Sequence, residues 1–97
     1  MAYEKKIVLF CPDGHRMGLE PLVEEFIKAG VIFVAVVGKD CTKVEEIIDE
    51  LVVGDGSRAY DLLTSSHPNE SVDEALEFAR SLSLNFAGPV QLVTLDA

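Results

Sequence analysis

Cys11, His15, Cys41 and His67 carry the widest chemical range in this chain. A thiolate is a nucleophile or a metal ligand, and an imidazole is a base or a metal ligand. Asp13, Gly14 and Arg16 surround His15, Asp40 precedes Cys41, and Ser65 and Ser66 precede His67. Each cluster follows a short segment that reads as a strand. In an open parallel sheet, ligands bind beyond the carboxyl ends of the strands. The ligand-binding candidates are therefore Asp13, Gly14, His15, Arg16, Asp40, Ser65, Ser66 and His67. Cys11 is the candidate reactive thiol, since a cysteine between a strand end and a helix start can have a depressed pKa.

Three chemistries compete for these residues. Phosphoryl transfer through Cys11 is the first. Low-molecular-weight tyrosine phosphatases also place a cysteine after their first strand, but with a Cys-to-Arg gap one residue longer and a Ser or Thr after the Arg. Met17 stands at that last position here. The cysteine-phosphorylated domains of sugar phosphotransferase systems have a loop rich in small residues, where this chain has Pro12, His15 and Arg16. Metal binding is the second. Cys11, His15, Cys41 and His67 form a Cys₂His₂ set, but their spacing fits no common zinc pattern, so no metal is assigned. Nucleotide binding is the third. Asp40 has the place of a ribose-binding acid, but neither G-x-G-x-x-G nor G-x-x-x-x-G-K-[ST] occurs, and no cofactor is expected.

The elements that must hold these residues follow from apolar spacing. Ile7–Cys11 and Val31–Val37 are continuous apolar runs ended by Pro12-Asp13-Gly14 and by Gly38. Such runs read as strands buried on both faces. Leu19, Leu22, Val23, Phe26 and Ile27 lie on one helical face, as do Val44, Ile47, Ile48, Leu51 and Val52. Thr42 with Glu45 and Ser71 with Glu74 are capping-box signatures. Strands are expected at about 6–11, 31–37, 59–65 and 90–95, and helices at about 18–29, 42–53 and 71–82.

The order β-α-β-α-β-α-β implies an α/β fold: a four-stranded, mainly parallel sheet with three helices and right-handed crossovers. The apolar first two strands belong in the centre and the more polar third and fourth at the edges. That is order 3-2-1-4, a Rossmann-like half domain. The alternative, 2-1-3-4, exposes the most apolar strand at an edge.

The chain has 97 residues and is read as one domain, 1–97. Its net charge of −9 repels phosphate backbones and anionic membranes, and no basic patch offsets it. No nucleic-acid or membrane partner is expected. Two cysteines without a disulfide framework and no long apolar stretch point to the cytoplasm.

The run Leu62-Leu63-Thr64-Ser65-Ser66-His67-Pro68-Asn69-Glu70-Ser71 resembles a stretch of small uncharacterised bacterial proteins with a Rossmann-like fold. That resemblance implies the fold over most of the chain and transfers no functional residues.

The reading ranks a cytoplasmic binding or protein-interaction module without catalysis first. A small-ligand or nucleotide-binding domain and Cys11-dependent phosphoryl transfer or phosphatase chemistry follow. In order 3-2-1-4, right-handed crossovers put two helices on one sheet face and one on the other. One helix covers about 10 Å of a sheet nearly twice as wide. A homodimer closing that open face is therefore expected, with Phe86 and outward residues of the third helix at the contact; cover by the segment Leu84-Asn85-Phe86-Ala87 is the competing explanation.

Overall fold

The computed structural model describes residues 3–53, 62–82 and 88–96. Among them, strands and helices alternate: β1 Lys6–Cys11, α1 Leu19–Ala29, β2 Phe33–Gly38, α2 Cys41–Val53, β3 Leu63–His67, α3 Val72–Arg80 and β4 Val90–Thr94. All the pairings are parallel, in the order β3-β2-β1-β4. The α/β class, the strand order and the three helices agree with the sequence reading. Residues 59–61 of the expected third strand, and Phe86, lie outside the described residues.

The strand parity sorts the core into two layers. Ile7, Leu9 and Cys11 of β1 and Val34 and Val36 of β2 face α1 and α2. There they meet Leu19, Val23 and Phe26, and Val44 and Ile48, all fully buried. Val8, Phe33, Ala35 and Val37 point the other way, where α3 offers two buried alanines, Ala75 and Ala79. One face is thus sealed by two apolar helices, while among the described residues the other is covered by one nine-residue helix, α3, and Leu92 stays 46% exposed.

Lys6 is a charged residue at a core position, 1% exposed, on the α3 face of β1. Its Nζ donates to the Ala79 carbonyl at 2.6 Å. The last carbonyls of a helix lack intrahelical donors and carry the negative end of its dipole, so the ammonium caps α3. Burial lowers the Lys6 pKa from its ordinary value.

Two local expectations meet different outcomes. Ser71 does cap α3: its side chain accepts from the Glu74 N–H at 3.1 Å, and the Glu74 carboxylate accepts from the Ser71 N–H at 2.8 Å. A box of this kind contributes about 1 kcal/mol. Thr42 does not begin α2. The helix starts at Cys41, and the Val44 N–H donates to the Asp40 carbonyl at 2.9 Å. Thr42 and Glu45 turn instead toward β3, where Thr42 Oγ1 donates to Ser66 Oγ and Thr64 Oγ1 donates to Glu45. Tertiary hydrogen bonding to a polar edge strand has displaced the local cap. No helix among the described residues is long and apolar enough to cross a membrane.

Candidate functional site

The loops after β1 and β2 are clamped together at the carboxyl edge of the sheet. Gly38 has φ +112°, and a Cβ there would stand 2.5 Å from the Cys11 carbonyl oxygen. That carbonyl accepts from the Lys39 N–H at 2.8 Å. A Cβ on Gly14 would stand 3.0 Å from a carboxylate oxygen of Asp40, itself held at φ 54°. An open depression of about 530 Å³ lies beside this clamp, with Gly38, Asp40, Thr42, Lys43, Pro68 and Asn69 among its walls. A smaller hollow of about 200 Å³ sits where the strand order reverses, between Gly18 and Pro21 of the α1 start and Thr94–Asp96.

The candidate residues divide among these places. Gly14 and Asp40 meet. Asp13 and Arg16 pair with each other at 3.3 Å, both exposed, and such surface pairs contribute little. His15 is exposed. Ser66 faces α2 and accepts from Thr42 at 3.3 Å. Ser65 and His67 lie on the opposite sheet face, under α3, since His67 pairs with Val37 and Ser65 with Ala35. Among the described residues no three His, Cys, Asp or Glu side chains converge as metal ligands.

Ser65 and His67 form a contact that the sequence reading missed. Both belong to β3, which runs to His67 rather than ending at Ser65. Residues two apart on a strand share a face, and Ser65 Oγ lies 2.8 Å from His67 Nε2. Pro68 and Asn69 then reverse the chain. Asn69 takes φ 66°, and the Glu70 N–H donates to the His67 carbonyl at 3.3 Å. Proline followed by a left-handed asparagine favours such a turn. It returns the Glu70 carboxylate to within 3.2 Å of His67 Nδ1. The imidazole is 5% exposed and lies against Phe78, with ring centroids 4.7 Å apart. The usable signal was the alternation Ser65-x-His67 followed by Pro-Asn-Glu.

These elements fall within one family match, which spans residues 2–95. The chain belongs to the DUF7684 family, a domain of unknown function. The DUF7684 match takes in every element and every candidate residue above. No curated protein and no solved structure matches the chain.

In this DUF7684 chain both cysteines are buried and unpaired, Cys11 fully so. Burial, and secondarily the nearby Cys41 thiol, push the Cys11 pKa up to about 12. At neutral pH the group is a protonated, small apolar side chain, which runs against a nucleophilic role. Iodoacetamide at pH 7 should therefore modify Cys11 in the folded chain more slowly than free cysteine, by on the order of a thousandfold. Unfolding in urea should restore the ordinary rate, and fast alkylation of the folded chain contradicts this. The linkage has a definite sign. An unfolded thiol ionises near pH ~8.5, before the folded one. Stability from this group is intact below that pH and falls as pH rises toward about 12.

Proposed function

We propose that this domain is an interaction module that pairs with a second copy of itself through the sheet face carrying α3. The observation that supports the reading is the unequal covering of the two faces. α3 buries two alanines against the sheet, and Leu92 on the β4 flank remains 46% exposed. Register puts Leu92 beside Val8 and Thr94 beside Phe10, so both project from the α3 face. Val90 and Phe10 are half-buried next to them. An apolar strip on one edge of a sheet is self-complementary under a two-fold axis.

Each copy carries a net charge of −9, so pairing works against mutual repulsion and strengthens with added salt. Leu92→Glu places two more carboxylates at the contact. Sedimentation velocity should show this variant as a slower, monomeric species that keeps the parent's circular-dichroism spectrum and loses the concentration dependence of its melting temperature. Identical sedimentation of the variant and the parent chain contradicts the proposed face.

A second reading, small-ligand binding at the carboxyl edge, is favoured by the depression beside Asp40 and by the glycine clamp that holds its rim.

A further inference from the structure

We propose that Ser65 is a base-activated nucleophile that accepts the acyl group of a small ester, with His67 as general base and Glu70 as the positioning residue. This goes beyond the pairing role and adds a chemical activity to it. Nucleophile, base and a third group orienting the base, each within hydrogen-bond reach of the next, are the signature of an activated hydroxyl. Here the contacts are 2.8 Å from Ser65 Oγ to His67 Nε2 and 3.2 Å from His67 Nδ1 to Glu70 Oε1.

The chain of donors has one consistent direction. A carboxylate accepts and cannot donate, so the Glu70 contact holds a proton on Nδ1. That leaves the Nε2 lone pair to accept from the Ser65 hydroxyl. Phe78 lies against the ring and restricts its rotation. The backbone supplies a donor beside the nucleophile. The Leu63 N–H donates to the Ile32 carbonyl of the segment entering β2. By the strand's alternation the Ser65 and His67 N–H groups also turn toward β2, and the Ser66 N–H turns outward. Among the described residues β3 pairs with β2 alone, so the Ser66 N–H faces an open edge. An N–H from the residue after the nucleophile is a recurrent oxyanion donor.

Ser65 is half-buried, Leu63 shares its face of β3, and Phe78 lies against the neighbouring His67 ring; the two apolar side chains are 55% and 41% exposed. These side chains suit an apolar acyl chain. The site lies on the β3 flank of α3, three strand spacings or about 14 Å from Leu92 on β4.

In the reaction Ser65 Oγ forms a bond to the acyl carbon as its proton passes to Nε2. The ester C–O bond breaks, and the departing oxygen takes that proton. Water then attacks the acyl-serine, losing a proton to Nε2, which returns it to Ser65 Oγ. The sum is ester plus water to acid plus alcohol.

The test uses the full chain with a fluorophosphonate probe and with p-nitrophenyl butyrate. Peptide mass spectrometry should place one adduct on Ser65, and ester hydrolysis should run in parallel. Ser65→Ala should abolish both. His67→Gln should slow labelling at least about a hundredfold. Melting curves establish that each variant is folded, and Ser65→Ala, which removes one oxygen, remains readable if His67→Gln is not. Glu70→Gln should slow labelling and redistribute the imidazole proton between Nδ1 and Nε2, read by nitrogen–proton NMR; a merely structural Glu70 leaves that tautomer unchanged. Labelling of Ser65 no faster in the folded chain than in urea overturns the proposal, as does full ester hydrolysis by folded Ser65→Ala.

Discussion

Gly38→Ala is expected to remove roughly 3–5 kcal/mol of stability, the sum of backbone strain and overpacking. The residue has φ +112°, where a side chain is strained whatever the space. Here there is no space either, because the new Cβ meets the Cys11 carbonyl oxygen at 2.5 Å and its carbon at 2.9 Å. Neither atom is the end of a flexible side chain, so the strand ends themselves must separate. Against a total of about 5–15 kcal/mol for a domain, that is a large fraction of the stability. Gly30→Ala is the control. It too has positive φ, at 82°, but nothing lies within 4 Å of its Cβ, so strain acts without a clash. Urea titration should place the Gly38 variant's midpoint well below that of the Gly30 variant, with similar slopes. Equal midpoints would remove the clamp from the account.

Phe26→Ala and Phe78→Ala test the inequality of the two sheet faces. Phe26 lies on the buried face of α1, fully enclosed against the sheet, and meets Tyr3 edge-on at 5.0 Å. Deleting such a ring costs about 3–5 kcal/mol, as lost transfer energy plus an unfilled cavity. Phe78 is 41% exposed and touches Phe33 and His67 obliquely. Its removal leaves a notch open to water, and about 1 kcal/mol is expected for the partly buried ring. Denaturant unfolding of the two variants side by side reads the difference. A loss at Phe78 as large as that at Phe26 would mean that the α3 face is a sealed core.

The sheet was legible because its signal is apolar and local. Runs buried on both faces marked β1 and β2 as central, and the polar content of β3 and β4 sent them to the edges. Helical periodicity located α1 and α2 to within a residue at their starts. The candidate site was less legible, for reasons tied to particular residues. β3 reads Leu63-Thr64-Ser65-Ser66-His67, where period-two alternation has no apolar contrast to reveal it. His67 therefore passed for a loop residue, and its partners Ser65 and Glu70 were not connected to it. The burial of Lys6 has no local signal, because its acceptor, the Ala79 carbonyl, is 73 residues away. Thr42 and Glu45 satisfied a local rule that contacts with Thr64 and Ser66 overrode. Cys11 has a nucleophile's position in sequence, yet its strand parity turns it into the α1–α2 core.

Sedimentation equilibrium of the full chain at micromolar concentration and moderate salt reads out whether the α3 face pairs two copies. The expected mass approaches twice the 10.6 kDa of one chain, rising toward that limit as salt screens the net charge of −9. A single species at 10.6 kDa across the concentration and salt range would contradict it.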